Sequence, residues 1–225
     1  MNSKEPATSR KGKGAPGAQG NAKNGRGSGC VGILDLGIGN VASVSNALER
    51  LGARPKIISR KGQIEKCSRL VMPGVGTFGA GMAAMGKHGD EIRKFAESGK
   101  PVLGICLGMQ LMLDKGFENG GRRGLGMFKG SARRMDFAPK LPHVGWAKVT
   151  GRLSGLLEGT RDGEYYYFVH SYACFPQDKS IIAGECAYGK KFAACIGKGN
   201  VWGVQFHPEK SGRAGRKVLE NFLKM

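Results

Sequence analysis

The first half of the chain alternates short apolar runs with segments of helical periodicity. Apolar runs at residues 31–36, 56–58, 70–72 and 102–105 predict buried strands. Apolar residues at helical spacing predict helices at 41–51 and 90–98, and Asn40 and Gly52 are the start and stop signals of the first. Strands that alternate with helices are typical of an α/β fold with a mostly parallel sheet flanked by helices.

The second half is rich in strands joined by short turns. They are predicted at 129–137, 146–150, 165–172, 181–188, 192–196 and 201–206. Short turns favour antiparallel pairing, so this half should extend the sheet in an antiparallel or mixed manner. A helix at 215–224, with its apolar face formed by Val218, Leu219, Phe222 and Leu223, should end the chain.

The first 29 residues differ from the rest in composition. They contain no Val, Ile, Leu or aromatic residue and are rich in Gly, Lys, Asn and Ser. Such a segment cannot bury enough apolar surface to offset the entropy lost on ordering. We therefore predict a disordered basic tail at 1–29 and one domain at 30–225, which is long enough for a substantial core.

The strongest candidate for chemistry is the junction of the strand at 102–105 with a helix predicted at 107–113. Its sequence, Gly104-Ile105-Cys106-Leu107-Gly108, has the form of the G-x-S-x-G nucleophile elbow with cysteine in place of serine. The turn puts Cys106 at a helix N-terminus, where free N–H groups favour a thiolate. Cys106 is a candidate nucleophile, and the alternative is a buried cysteine in a strand–helix connection.

A second motif, Gln205-Phe206-His207-Pro208-Glu209, supplies the groups that a thiolate nucleophile needs. Pro208 cannot continue a central strand, so the strand at 201–206 should end beside His207. His207 and Glu209 are two residues apart and point the same way in an extended chain. The histidine can carry a proton, and the carboxylate can fix its tautomer. The two motifs together predict a Cys106–His207–Glu209 triad.

The net charge of +19 comes from 36 Lys and Arg against 17 Asp and Glu, and it raises the question of a nucleic-acid partner. Six basic residues and one Glu give the first 29 residues a charge of +5. The remaining charge is scattered in pairs such as Arg122-Arg123, Arg133-Arg134 and Lys190-Lys191, with no basic stripe interleaved with aromatics. We interpret it as a basic solvated surface and expect no nucleic-acid partner.

Other features of the composition bear on compartment and cofactors. No apolar run approaches the roughly 20 residues of a membrane span, and no signal peptide is visible, so we expect a cytoplasmic protein. The six cysteines form no C-x-x-C pair and should be free thiols without a metal site. Glycine-rich loops at 37–42 and 74–79 lack the acidic residue that would hold a dinucleotide ribose, so we expect no cofactor.

Three further stretches accompany the elbow and the His-Pro-Glu motif. They are Pro73-Gly74-Val75-Gly76-Thr77-Phe78-Gly79, Leu141-Pro142-His143-Val144-Gly145-Trp146 and Tyr167-Phe168-Val169-His170-Ser171-Tyr172. Together these motifs resemble the glutaminase subunits of imidazole glycerol phosphate synthases, a branch of the class I (triad) glutamine amidotransferases. The resemblance covers all of the chain except the tail. It implies the class I fold: a central mostly parallel sheet flanked by helices, with the antiparallel or mixed extension in the second half.

The resemblance also implies roles for individual residues. Cys106 would attack the glutamine amide to form a thioester, His207 would transfer protons, and Glu209 would orient His207. Backbone N–H groups of Leu107 and of the Gly74-Val75 segment would form the oxyanion hole. The glutamine-binding positions that it implies are Gly76, Gln110, Glu118, His170, Ser171 and Tyr172. Two alternatives stay open: a solvated Glu118, and a His170 that only makes a local hydrogen bond.

We expect the amidotransferase domain to use the whole chain after the tail, so ammonia must be consumed on another polypeptide. The resemblance implies a heterodimer with a (β/α)8-barrel cyclase, which forms imidazole glycerol phosphate and an aminoimidazole carboxamide ribonucleotide in histidine biosynthesis. Trp146 and Lys210 are candidate contacts with that barrel; the alternatives are a partly buried aromatic and a solvated cation. Ala147 and Ile38 depart from the usual Asn and aromatic residue of the family, which leaves the details of docking open.

Two other functions compete with this interpretation. A paralogous glutaminase that feeds a sugar-modifying synthase would carry every motif quoted above. A non-catalytic relative that binds nucleic acid or acts as a scaffold would account for the charge, but the intact Cys106, His207 and Glu209 argue against it.

Overall fold

The computed structural model of the protein describes residues 1–2, 29–37 and 39–225. Most of the predicted tail, and Ile38, therefore lie outside the described residues. The strands are β1 (Val31–Leu34), β2 (Pro55–Ile58), β3 (Arg69–Gly74), β4 (Val102–Cys106), β5 (Leu113–Gly116), β6 (Arg122–Arg123), β7 (Phe128–Arg134), β8 (His143–Thr150), β9 (Glu164–His170), β10 (Tyr172–Pro176), β11 (Ile182–Tyr188), β12 (Lys190–Lys198) and β13 (Val201–Val204). The α-helices are α1 (Val41–Glu49), α2 (Phe78–Met85), α3 (Gly89–Glu97), α4 (Leu107–Leu111) and α5 (Gly212–Phe222).

Five strands form the parallel part of the sheet, in the order β2-β1-β3-β4-β13. Its two faces are covered by separate hydrophobic clusters. One contains α1 and α5 residues such as Leu48 and Phe222, and the other contains α2 and α3 residues such as Phe78 and Phe95. Asn40 caps α1 as predicted, accepting a hydrogen bond from Ser43 N at 3.1 Å. The predicted α/β architecture with helices on both faces is confirmed.

The second half of the chain extends the sheet. β12, β10 and β7 continue it in antiparallel pairs, and β5 then pairs parallel with β7 and antiparallel with β6. A branch of three antiparallel strands, β11-β8-β9, leaves from β12. The expected antiparallel or mixed extension is therefore confirmed, with one parallel pair inside it.

The helix predicted at 107–113 is shorter than expected and ends at Leu111. The carbonyl of Leu111 accepts a hydrogen bond from Leu125 N at 2.8 Å, and that of Met112 accepts one from Met127 N at 2.9 Å. These carbonyls bond to a distant segment rather than to the next helical turn. The chain can then begin β5 at Leu113, a strand that the pattern did not predict.

The strand predicted at 165–172 is two strands. β9 ends at His170 and pairs with β8, whereas β10 begins at Tyr172 and pairs with β7 and β12. Ser171 stands between them, and its carbonyl accepts a hydrogen bond from Met135 N at 3.0 Å. The break directs β9 and β10 to different neighbours and leaves residues 170–172 beside the end of β4.

Candidate active site

Cys106 lies in the sharp turn between β4 and α4 that the elbow motif predicts. Its backbone angles, φ 54° and ψ −107°, lie in a region that residues with a Cβ rarely adopt. A Cβ on Gly108 would lie 1.8 Å from the Met72 carbonyl oxygen, and one on Gly104 would lie 2.7 Å from the Gly108 carbonyl carbon. Both glycines are therefore needed, because strand, turn and helix meet in direct backbone contact.

The carboxyl ends of three parallel strands converge at this turn. β3, β4 and β13 are neighbours in the sheet, with Gly74 paired to Cys106 and Val204 paired to Ile105. The segment that follows β13 carries His207, whose backbone N–H donates a hydrogen bond to the Tyr167 backbone carbonyl at 2.9 Å. The sheet therefore brings the predicted nucleophile and the predicted proton carrier to the same edge, as is usual for active sites of open α/β sheets.

His207 and Glu209 form the predicted contact. His207 Nδ1 and Glu209 Oε1 are 2.9 Å apart, and the side chains are 4% and 2% exposed. The expected extended geometry was wrong, because Pro208–Lys210 is a 3₁₀ turn. The fixed φ of Pro208 suits the first position of such a turn, and Lys210 N donates to the His207 carbonyl at 3.0 Å.

The protonation of His207 depends on its two neighbours. Burial lowers the pKa of His207, but the hydrogen bond to Glu209 and the negative charges of Cys106 and Glu209 outweigh burial and raise it to about 9. Among the described residues, His207 Nε2 and Glu209 Oε2 have no partner at hydrogen-bonding geometry. His207 can therefore hold a proton at neutral pH, with Nε2 available to a reacting group.

The predicted oxyanion-hole segments flank Cys106. Leu107 is the first residue of α4, so its N–H has no partner within the helix. Gly74 ends β3 beside Leu107: a Cβ on Gly74 would lie 3.2 Å from Leu107 Cβ. Gly76 has a φ of +99°, and Val75 between the two glycines is 43% exposed. An exposed loop with backbone N–H groups thus adjoins the predicted nucleophile.

Gln110 lies on α4 beyond Cys106 and is buried. Its Nε2 donates to the Tyr172 carbonyl at 3.0 Å and to Gln205 Oε1 at 3.2 Å. Gln205 Nε2 in turn lies 3.6 Å from Cys106 Sγ, and the thiol lies 3.9 Å from the Val169 carbonyl oxygen. The amide of Gln110 is therefore engaged inside the protein, in a series of hydrogen bonds that ends at the nucleophile.

His170 is buried at the end of β9 and contacts a second histidine. Its Nδ1 is 2.9 Å from the Tyr172 carbonyl oxygen, and its Nε2 is 3.2 Å from His143 Nδ1. Burial is the main cause that lowers the pKa of His170 to about 4, and nearby His143 and His207 lower it further. Burial also lowers the pKa of His143. His170 is neutral, and a role beyond this local contact stays a prediction, as does substrate contact by Ser171.

Glu118 lies in the 3₁₀ turn Glu118–Gly120 after β5. Its Oε2 accepts a hydrogen bond from Phe78 N at 2.6 Å, which satisfies the first N–H of α2. The carboxylate thus fixes the helix that follows the Gly74-Val75-Gly76 loop. Binding of glutamine by Glu118 stays a prediction.

Trp146 and Lys210 meet on one exposed surface. Trp146 is 55% exposed and packs edge-on against Tyr167, with ring centroids 6.1 Å apart. The Lys210 ammonium lies 5.8 Å from the centre of the same Tyr167 ring. Ala147, by contrast, packs against the core on the other face of β8. Trp146 of β8 and Lys210 of the turn after β13 therefore meet at Tyr167 of β9, whose backbone carbonyl accepts the hydrogen bond from the His207 backbone N–H.

These features agree with a comparison against known protein families. The model of the family "Glutamine amidotransferase class-I" matches residues 32–225. The chain belongs to the class I glutamine amidotransferases. The strand–turn–helix around Cys106 and the sheet around it are therefore those of an enzyme family.

Two curated relatives of this amidotransferase carry the same name. The protein named imidazole glycerol phosphate synthase subunit HisH from Desulfitobacterium hafniense (strain DSM 10664 / DCB-2) is 44% identical over 197 residues, which cover 86% of this chain and 93% of the relative. The protein of the same name from Aquifex aeolicus is 42% identical over 194 residues, covering 84% of this chain and 94% of the relative. The resemblance drawn from the motifs is confirmed.

Solved structures agree on the fold. A crystal structure described as a glutamine amidotransferase superposes with a TM-score of 0.70 at 22% identity, covering 87% of this chain and 98% of that one. PurLQS from Thermotoga maritima gives a TM-score of 0.70 at 20% identity, covering 86% and 97%. At these identities the likeness concerns the class I fold alone.

Two residues of this amidotransferase site had no role assigned from the sequence. Gln205 and His143 both lay inside the motifs that carried the resemblance, yet nothing in a linear pattern indicates where their side chains point. Gln205 is 0% exposed and reaches Cys106, and His143 is 3% exposed and reaches His170. A buried polar side chain needs a hydrogen-bond partner, and only the fold identifies that partner.

In the part of the chain that the structure describes, none of the helices combines the length and apolar composition needed to cross a bilayer. In the same residues, no group of three or more His, Cys, Asp or Glu side chains is arranged to hold a metal ion.

Proposed function

We propose that this chain is the glutaminase subunit of an imidazole glycerol phosphate synthase, with residues 30–225 as its amidotransferase domain. One observation carries the proposal: a strained Cys106 and a buried His207–Glu209 pair at the same sheet edge, in a chain more than two-fifths identical to proteins named HisH. The substrate is glutamine, and the products are glutamate and ammonia for a partner cyclase that forms imidazole glycerol phosphate and an aminoimidazole carboxamide ribonucleotide.

Cys106 acts as the nucleophile. Its thiolate attacks the side-chain carbonyl carbon of glutamine, and the C–N bond breaks after His207 donates a proton to the departing nitrogen. Water, deprotonated by His207, then attacks the thioester, and the C–S bond breaks to release glutamate and restore the thiolate. Glu209 is hydrogen-bonded to His207 Nδ1, and this contact keeps His207 Nε2 directed at the reacting atoms.

The negative oxygen formed in each step needs positioned N–H donors. The Leu107 N–H at the start of α4 is one, and the Gly74-Val75 peptide beside it supplies the other. The positive φ of Gly76 and the exposure of Val75 support a loop that can reorient its peptide, since glycine carries no Cβ to clash. Gly76, Gln110, Glu118 and residues 170–172 are proposed to form the glutamine site around Cys106.

The partner is a (β/α)8-barrel cyclase, in a heterodimer. Support comes from the β8–β9 face, where Val144, Trp146 and Tyr165 are all about half exposed. Aromatic side chains of this kind are enriched in protein interfaces. Lys210 lies on the same face, one residue after Glu209, so the proposed interface adjoins the triad. Ammonia released at Cys106 can then pass to the partner without crossing bulk water.

Replacing Cys106 with Ala tests this division of labour. In the complex with its cyclase, C106A should lose at least about 10³-fold of glutamine-driven cyclisation, because no thioester can form. Ammonia-driven cyclisation should stay at the wild-type rate, because the cyclase acts on free ammonia. Cyclase product would be followed with each nitrogen source, and Cys30→Ala, at a partly buried cysteine, is the control. Equal loss with both nitrogen sources would contradict the proposal.

A further inference from the structure

Gln205 carries a buried polar group that the mechanism above leaves without a role. It directly follows β13, its N–H donates to the Ala194 carbonyl at 2.8 Å, and the residue is 0% exposed. Its side-chain Nε2 lies 3.6 Å from Cys106 Sγ. An amide N–H at this distance from a sulfur that must become a thiolate is a potential charge-assisted hydrogen bond.

The orientation of the Gln205 amide is fixed by its neighbours. The Tyr172 carbonyl can only accept hydrogen bonds, so the Gln110 group 3.0 Å from it must be the NH₂. The second N–H of that NH₂ points to Gln205 Oε1 at 3.2 Å. A flipped Gln205 would set two NH₂ groups against each other. Gln205 must therefore present its own NH₂, and not its oxygen, to Cys106.

The series of hydrogen bonds from Cys106 through Gln205 and Gln110 to the Tyr172 carbonyl continues to a pair of histidines, His170 and His143. The Tyr172 carbonyl also accepts a hydrogen bond from His170 Nδ1 at 2.9 Å, which fixes the neutral His170 as the Nδ1–H tautomer. His170 Nε2 then accepts from His143 Nδ1 at 3.2 Å, and the His143 ring stacks on Tyr188 with centroids 3.9 Å apart. Every member has a defined donor or acceptor role, so the series is anchored in packed core.

Two groups compete for the Cys106 sulfur. The Val169 carbonyl oxygen, 3.9 Å away, can accept from a neutral thiol but repels a thiolate. Gln205 offers an N–H, which attracts a thiolate more strongly than it attracts a neutral thiol. The balance between these two contacts depends on the charge of the sulfur, and Gln205 favours the charged form.

We propose that Gln205 is a positioning residue for the Cys106 thiolate. Its amide holds the sulfur beside His207 and links it, through Gln110 and the Tyr172 carbonyl, to the 170–172 segment. The role in turnover rests on the proposed glutaminase function, whereas the hydrogen bond to the thiolate does not. In the thioester the sulfur is uncharged, so Gln205 stabilises the nucleophile before attack and after deacylation.

Two substitutions separate the donor from the rest of the side chain. Gln205→Met keeps the length and removes both polar atoms, and Gln205→Glu keeps the shape and the acceptor for Gln110 but removes the N–H toward Cys106. Val204→Ala, at the buried residue that ends β13 and precedes Gln205, is the control for a packing defect at this position in the chain. Thermal unfolding and near-ultraviolet circular dichroism of all three variants establish that they are folded and how far each is destabilised.

The readouts are the ultraviolet absorbance of the thiolate at neutral pH, taken as the difference from C106A, and kcat and KM for glutamine in the complex with the cyclase. Both Gln205 variants should lose most of the Cys106 thiolate absorbance. Their kcat should fall roughly 10- to 100-fold, which is the loss expected for one hydrogen bond to a charged group. Their KM should change less than about threefold, because a uniform loss of substrate binding is not expected. Val204→Ala should keep both readouts while losing thermal stability.

Unchanged thiolate absorbance in a folded Gln205 variant would overturn the proposal, as would a loss of kcat that Val204→Ala shares at equal destabilisation. If only one Gln205 variant folds, that variant decides. Should the wild-type chain show no glutaminase activity with any cyclase, the proposed function fails, while the absorbance comparison still tests whether Gln205 holds the Cys106 thiolate.

Discussion

Two opposing effects set the protonation of His207. Burial favours the neutral ring, but negative charge on Cys106 and Glu209 favours the imidazolium and raises the pKa of His207 to about 9. The raised pKa means that the proton stays on the histidine through neutral pH and leaves as the pH passes about 9. In the proposed mechanism the imidazolium delivers the proton to departing ammonia, so the alkaline limit of acylation should follow the pKa of this residue.

Replacing Glu209 with Gln should therefore shift the pH profile. Removing the carboxylate charge removes one of the causes that raise the pKa of His207, so the alkaline limb of kcat/KM should move to lower pH. The rate itself should fall roughly 10²- to 10⁴-fold, as in other triads that lose their acidic member. The profile would be measured on the complex, with Glu220→Gln as the control because Glu220 pairs with surface Arg216 on α5. An alkaline limb that stays at its wild-type pH would contradict this explanation.

At the scale of the element, the nucleophile elbow is held by contacts between backbones. Gly108 of α4 packs against the carbonyl oxygen of Met72 in β3, and Gly104 of β4 packs against the first turn of α4. The helix that follows has only five residues, from Leu107 to Leu111, so its own hydrogen bonds contribute little to the turn. The strained backbone of Cys106 is therefore maintained by the packing of α4 on β3 and β4.

Gly108→Ala should thus be strongly destabilising. The new Cβ would lie 1.8 Å from a backbone oxygen, which no rotamer change can relieve, so β3 or α4 must move. We expect a loss of at least about 3 kcal/mol in the free energy of unfolding, together with loss of activity. Gly89→Ala is the matched control: Gly89 begins α3 with helical angles, and its Cβ would meet Leu125 at 3.5 Å, an ordinary contact. Urea unfolding of the two variants would compare them, and equal stabilities would refute the steric argument.

For the whole molecule, the arrangement of the sheet separates the proposed catalytic centre from the proposed docking face. The parallel strands bring Cys106 and the His207–Glu209 pair to their carboxyl ends, with a hydrophobic cluster on each face of the sheet. The branch β11-β8-β9 then presents an exposed row that includes Val144, Trp146 and Tyr165. Because the Tyr167 carbonyl of this branch accepts a hydrogen bond from the His207 backbone N–H, we expect movement of the proposed docking face to reach His207 directly.

Trp146→Ala should weaken the complex without weakening the fold. Trp146 is 55% exposed, so its removal leaves the core intact, whereas an interface would lose a large aromatic contact. We expect the dissociation constant for the cyclase to rise about tenfold or more, with a melting temperature close to wild type. Titration calorimetry would measure binding. Ile57→Ala is the control, at a 42% exposed apolar residue on the sheet-edge strand β2, and it should leave the dissociation constant unchanged. Wild-type affinity of W146A would place the interface elsewhere.

The sequence by itself determined the features that depend on neighbouring residues. The alternation of strands and helices, the N-cap of α1, the elbow at Cys106 and the pairing of His207 with Glu209 all follow from residues a few positions apart. The tertiary structure decided the rest. It ended α4 at Leu111, divided β9 from β10 at Ser171 and turned Pro208–Lys210 into a 3₁₀ turn. It also joined Gln205 to Gln110 and Cys106, which are 95 and 99 residues away. Where a buried polar group finds its partner depends on which strands become neighbours, and a local pattern does not contain that information.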